Sequence, residues 1–514
     1  MLAVLLLAGT ALTSCTHSDD PAPEPQPSGP KTYTLTIRAS KSSDTALTRA
    51  LSVVGNDISS TWTAGDVVSV YKGDDLLGPL TAANVSADGK SCDLVGSLTT
   101  APSVDDVLTL KYLSPSYDTQ DGTLQSIAEN CDYSTATVTV SEIVDNNVVI
   151  QDDPPIAFIN QQIIVKFTLK DTDGSALPSN PTALTIDYLT GSVSLTGIPT
   201  TTYSGQSYSN GNGVLYVAVP NHIRGKDMKL TATVETANGT KTYTYWKSNA
   251  FPNNGGDQQN SVVKDYYLVN VKMFDPFSTP LTFEAVENNA NNDVSFINYS
   301  GTLYYSLNNV DWQVYTTAID LKVKGEKVYF KGDAITNPDS EVTQIICRGK
   351  CYVYGNIMSL VKKEFVTETE LTYNNTFNKL FNNIENVYSH PSKELVMSAT
   401  TLTYGCYTEM FKGCSNLERA PELPASIIPS HAYYDMFNGC SSLKYIKCLA
   451  NDITAENSTL TWVYNVAASG TFVVNSSMTI NDPTNPTTST VNNGESLLWN
   501  RGESGIPVGW TVTK

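Results

Sequence analysis

Apolar and polar residues alternate with a period of two along much of the chain, and that period predicts strands. Tyr33-Thr34-Leu35-Thr36-Ile37-Arg38-Ala39 alternates throughout. So does Ile163-Ile164-Val165-Lys166-Phe167-Thr168-Leu169, which runs into the turn sequence Asp171-Thr172-Asp173-Gly174. From Lys229 to Trp246, two alternating runs flank Asn238-Gly239, a strong hairpin signal. Short strands punctuated by Gly, Pro, Asn and Asp predict β-sandwiches. The pattern places one sandwich over 31–153 and a second over 154–272, meeting near Asp152-Asp153-Pro154-Pro155. Phe274 to Pro280 reads as a linker. Beyond it, Thr302 to Trp312 predicts two strands around Asn308-Asn309, with further strands through Lys327–Phe330 and Cys351–Tyr354. These define a small β domain over 280–365.

Residues 366–514 carry an internal repeat. One copy contains Met410-Phe411-Lys412-Gly413-Cys414-Ser415-Asn416-Leu417, and the next contains Met436-Phe437-Asn438-Gly439-Cys440-Ser441-Ser442-Leu443, 26 positions on. A degraded copy with Leu380-Phe381 lies 30 positions before the first. A period in this range predicts a solenoid whose apolar positions stack between neighbouring coils. A short helix or turn carries each Met-Phe pair, and Leu417 or Leu443 begins the strand lining one face. Cys414 and Cys440 repeat in step with these positions and read as buried small hydrophobes. Trp462 and Trp510 read as core of the closing cap.

At the other end, the apolar stretch Leu2 to Leu12 is shorter than the roughly 20 residues a bilayer span needs, and fits the hydrophobic region of a secretory signal over 1–15. Leu12-Thr13-Ser14-Cys15 resembles a bacterial lipobox, which implies acylation of Cys15. No basic residue precedes the apolar run, so the true start is expected upstream of Met1. Thr16 to Pro30 holds five prolines in fifteen residues, an extended tether.

Composition narrows the chemistry. The 514 residues carry 32 basic and 51 acidic side chains, a net charge of −19, which disfavours nucleic-acid binding. Only four histidines are present, and they are scattered. No nucleophile elbow, zincin, P-loop or dinucleotide motif occurs, and Cys347-Arg348-Gly349-Lys350-Cys351 lacks zinc-ligand spacing. Asp171-Thr172-Asp173-Gly174 resembles the start of a calcium loop, but position 12 of such a loop would be Thr182 rather than a carboxylate. No catalytic residue, metal ligand or cofactor is expected, and the protein reads as a non-enzyme. A paired-carboxylate glycoside hydrolase stays open, because such a pair is spatial rather than sequential.

Two resemblances give these segments a meaning. The lipobox, the first strand, Leu47-Thr48-Arg49-Ala50-Leu51, and Trp62-Thr63-Ala64-Gly65-Asp66-Val67-Val68-Ser69-Val70-Tyr71 together resemble the fimbrillin family of Bacteroidales surface lipoproteins, over residues 1–272. That resemblance implies cleavage after Arg49 by an arginine-specific protease, removal of the strand Tyr33 to Ala39, and filling of its groove by a strand from another fimbrial subunit. The repeat, Tyr304 to Trp312, Tyr354-Gly355-Asn356-Ile357-Met358-Ser359-Leu360 and Ser504 to Val512 resemble the BspA-like leucine-rich-repeat surface proteins, over about 280–514. The fold expected is mainly β: two fimbrillin-like β-sandwich domains, a small β domain, and a short leucine-rich-repeat solenoid with a cap. The function expected is that of a lipid-anchored outer-membrane adhesin, a tip or accessory subunit of a fimbria, touching host protein, matrix or a microbial surface. A stand-alone surface glycan-binding lipoprotein is the alternative.

Overall fold

The computed structural model describes residues 32–41, 52–54, 57–59, 61–114, 116–150, 154–188, 191–199, 213–237, 239–252, 266–336, 342–475, 479–480, 498–499 and 501–513. The protein is mainly β, with hydrophobic cores in three successive regions.

The first core is enclosed by one sheet in which Tyr33–Lys41 pairs with Ser91–Leu98, followed in order by Asp75–Ala83, Val67–Lys72, Val107–Tyr112 and Ser134–Val144. Two short strands, Asn147–Ile150 and Ile156–Asn160, then lie along Ser134–Val144 on one side and along Tyr33–Lys41 on the other. The two faces of the sandwich are thereby joined on both sides into a closed barrel. Its interior is filled by the inward half of each alternation, and Trp62 meets Tyr112 and Phe158 edge-on at 5.7 and 5.3 Å. Ile156–Asn160, downstream of Pro154-Pro155, belongs to this first sheet.

The second core lies between two sheets. One is Val214–Pro220, Gln162–Lys170 and Tyr266–Lys272; the other is Ser192–Leu195, Pro181–Asp187, Met228–Thr236 and Gly239–Lys247. The hairpin expected around Asn238-Gly239 pairs Met228 through Thr236 with Lys247 through Gly239. The helix Leu124–Asn130, capped where Thr123 Oγ1 accepts from Ser126 N, packs against Ile164, Tyr216 and Ala218 of the second sandwich. Gln120 reinforces that join, accepting from Ala218 N at 2.6 Å and donating to Ala218 O at 2.9 Å.

The third core is continuous from Leu281 to Trp510. A sheet with Cys351–Asn356 near its edge passes straight into the repeat: this strand pairs in parallel with Val387–Ser389 and Leu395–Val396. Further along, parallel bridges join Arg419 to Tyr445 and Leu423 to Cys448, and Tyr445–Cys448 pairs with Thr471–Val474, then Thr511–Thr513. The small β region and the repeat share one core.

The Met-Phe segments form successive turns rather than α-helix. In each coil three residues four positions apart take positive φ: Asn375, Lys379 and Asn383; Gly405, Glu409 and Gly413; His431, Asp435 and Gly439; Asn457, Thr461 and Asn465. Alternate amides close turns within the coil, and the others cross to the next. Phe381 N donates to Met410 O at 2.9 Å, Phe411 N to Met436 O at 2.9 Å, and Phe437 N to Trp462 O at 2.8 Å. Two aromatic columns follow. Phe381, Phe411 and Phe437 stack at 5.1 and 5.6 Å, while Phe377 and Tyr407 lie parallel at 5.8 Å. The degraded copy is therefore a full member of the stack. Cys414 Sγ donates to Phe381 O and Cys440 Sγ to Phe411 O, and all the described cysteines are buried and unbridged. The cap closes the last coil, with Trp462 Nε1 donating to Gly505 O at 2.9 Å.

The second sandwich is fastened to the coil stack through a buried polar junction. Trp246 lies edge-on to Tyr445 at 5.3 Å, beneath the Arg419 guanidinium at 4.7 Å, and its Nε1 donates to Glu394. Glu394 also pairs with Lys229 at 2.8 Å. Desolvation by itself would raise the Glu394 carboxyl, but Lys229 and the donors around it hold it below its ordinary value.

Candidate functional site: a barrel closed by its first strand

The strand Tyr33–Lys41 is a strand because Leu35, Ile37 and Ala39 all point inward and are wholly buried, while Thr34, Thr36 and Arg38 face out. Its antiparallel register runs from Tyr33↔Leu98 to Ser40↔Ser91. On its opposite edge it is parallel to two partners in tandem, at Thr34↔Asn147 and Leu35↔Val148, then Ala39↔Ile156 through Lys41↔Phe158. Thr34 N donates to Asn146 O at 2.9 Å, and Ser40 Oγ to Pro155 O at 3.3 Å.

This makes the first strand a closing stave of the barrel, bonded to partners along both edges. Without it, Ser91–Leu98 on one side and the tandem pair on the other would both become open edges. The space between them would be a slot opening on the apolar core, with Leu94 on one edge, Val148 and Phe158 on the other, and Leu80 in the same core. Gly96 lets the neighbouring strand approach closely: a Cβ there would stand 2.2 Å from Pro79 O. Burying one Leu or Ile contributes about 1.5–3 kcal/mol, so the slot strongly favours an occupant with apolar side chains at alternate positions.

Of the residues expected to carry function, Cys15 and Arg49 both lie outside the described residues. The segment Tyr33 to Ala39 lies at the centre of the arrangement. The Asp171 to Gly174 stretch is a turn, with Gly174 N donating to Asp171 O and Ser175 N to Asp173 Oδ1, at 2.9 and 2.8 Å. Among the described residues no cluster of three His, Cys, Asp or Glu side chains is placed to hold a metal, and no helix is long and apolar enough to cross a membrane. The tandem closure by Asn147–Ile150 and Ile156–Asn160 was not expected; the alternating Val148, Ile150 and Phe158 were its trace in the sequence.

No family model matches the chain, and no curated protein matches it. Among solved structures it is similar to one from Bacteroides uniformis ATCC 8492, provisionally named a cell adhesion protein. Identity is 17%, covering 46% of this chain and 93% of that one, with a TM-score of 0.25. A protein of the same provisional name from Bacteroides eggerthii DSM 20697 shows 10% identity over 47% and 87% of the two chains, at 0.23. A streptococcal ancillary pilin shows 10% identity over 63% and 89%, at 0.14.

Proposed function

We propose that this chain is a non-catalytic cell-surface adhesin, anchored through Cys15, whose first barrel is a strand acceptor in a fimbria. What supports this reading is the closing position of Tyr33–Lys41: one nine-residue strand, at the end of the chain nearest the proposed anchor, seals a barrel from both sides. Cutting after Arg49 would sever that strand from the rest of the barrel. A strand from another subunit would then be the natural replacement, because it restores both ladders and the apolar filling together. The unit over 280–513 follows the second sandwich and would face outward as the tip, toward host protein, matrix or microbial surface.

The test is digestion of the purified chain with an arginine-specific protease, followed by N-terminal sequencing and native electrophoresis. A cut leaving Ala50 as the new terminus, followed by self-assembly or by capture of a synthetic peptide of residues 33–41, is the expected result. A chain that resists cleavage, or a cut product that stays monomeric and ignores the peptide, overturns the acceptor reading.

A further inference from the structure

The coil stack carries an aromatic row that neither its core nor its junction uses. Tyr373 and Tyr404 are 52% and 47% exposed, whereas Phe377 and Tyr407 on the same coils are sealed inside. Hydrogen bonds to their carbonyls place the exposed pair on adjoining coils: Asn375 N donates to Tyr404 O at 2.9 Å, and the Thr403 hydroxyl Oγ1 to Tyr373 O at 2.6 Å. The row continues across the next coil, with the Tyr404 ring 5.1 Å from His431 and His431 5.8 Å from Tyr434. His431 is held in plane between Ser430 Oγ at 2.9 Å and Asn457 Nδ2 at 3.2 Å. At the Tyr373 end the row opens on a cavity of about 150 Å³, whose wall includes Lys362, Glu368, Glu370, Thr372 and Thr376.

The chemistry of this wall restricts what fits. Exposed ring faces favour a ligand with an apolar face, while the carboxylates, hydroxyls and amides beside them favour a rim of hydroxyl groups. A pyranose ring has both, with axial C–H groups on one face and hydroxyls around its edge. The aliphatic side chains at the cavity, Ile335, Val361 and Leu371, are buried or half-buried in its wall, so the exposed rings of Tyr373 and Tyr404 are the larger apolar surfaces on offer. We propose that the strip from the Tyr373 cavity to Tyr434 binds a saccharide, with sugar rings stacked on Tyr373 and Tyr404. Two carboxylates against one ammonium at the cavity, on a chain of net charge −19, select neutral glycans over sialylated or sulfated ones. The proposal rests on the adhesin reading and names the class of its ligand.

The full chain is to be applied to an array of neutral and acidic oligosaccharides of mucosal, plant and bacterial-wall type, and the strongest neutral ligand titrated calorimetrically. Expected are binding to a neutral glycan, at least about a tenfold loss in Tyr373→Ala and in Tyr404→Ala, and retention in Tyr404→Phe, which keeps the ring. An array without a bound neutral glycan, or binding indifferent to both alanine variants, overturns the proposal. Beads coated with the chain separate this failure from that of the adhesin reading. Adhesion to epithelial cells that survives glycosidase but not trypsin treatment of the cells leaves an adhesin and removes the saccharide. Beads that adhere to neither treated nor untreated cells, with no glycan bound on the array, remove both.

Discussion

His390 shows how much one side chain can report. It lies under Tyr352 and Tyr354 at 4.9 and 5.3 Å, and its Nδ1 accepts from Ser392 N and Lys393 N, which fixes it as a neutral acceptor. Burial first, then the Lys393 and Arg419 charges, holds it down to about 4 against the opposing pull of Glu284. The unfolded chain takes up the proton near pH 6.5 while the native state refuses it. Stability is therefore full above pH 6.5 and is lost as pH falls toward 4, by about 3 kcal/mol in all. Urea unfolding at pH 7.5 and 4.5 should show most of that loss, and His390→Gln should remove it. The repeat cysteines make the opposite case, of groups kept out of chemistry. Burial pushes the Cys406, Cys414 and Cys448 thiols up to about 12, so iodoacetamide should label none of them in the native protein and all of them after denaturation, as read by mass.

Among the elements, the coils trade local strain for contacts between neighbours. A non-glycine residue such as Lys379, Glu409 or Asp435 in the left-handed region costs about 1–2 kcal/mol, and each coil accepts that cost at least once, with Gly405, Gly413 and Gly439 avoiding it at other positions of two coils. The crossing amides and the stacked rings offset it. Phe411 sits between Phe381 and Phe437, so Phe411→Ala should cost about 3–5 kcal/mol in chemical denaturation. At the junction, Glu394→Ala would leave Lys229 buried beside Trp246 without its close carboxylate, with Glu422 4.0 Å away. A cost of about 3–5 kcal/mol is expected there. Limited proteolysis should then find new cuts between the second sandwich and the stack, where the native chain resists.

For the whole molecule, what was legible in the sequence was what repeats locally. Alternation fixed the strand Tyr33–Lys41 and the hairpin from Met228 to Lys247, and the 26-residue period announced the stack. Pairings across long separations left no such trace. Asp152-Asp153-Pro154-Pro155 has the composition of a boundary, yet Ile156–Asn160 returns to the first sheet, because proline interrupts a ladder without deciding which sheet the chain rejoins. Trp246 and Glu394 meet 148 positions apart, a separation that spacing rules do not reach. The four-residue rhythm of Gly405, Glu409 and Gly413 stood in the sequence but belongs to neither the strand nor the helix period. The continuous core from Leu281 to Trp510 has its own test: a chain ending at residue 365 should lose cooperative unfolding of the third region in calorimetry, since Phe283 would lose Phe381 and Cys351–Asn356 its parallel partners.

The closing stave of the barrel also has a mechanical meaning. A pull on the chain just before Tyr33, directed along the strand, loads the ladder from Tyr33↔Leu98 to Ser40↔Ser91 and both parallel ladders at once. They resist together in shear instead of opening one after another like a zip. Such a strand withstands tension while its backbone is intact, yet a single hydrolysed peptide bond beyond its far end would let it slide out lengthwise. In the proposed fimbrial role, the same geometry would make the strand a tether under load and, once cut, a releasable plug.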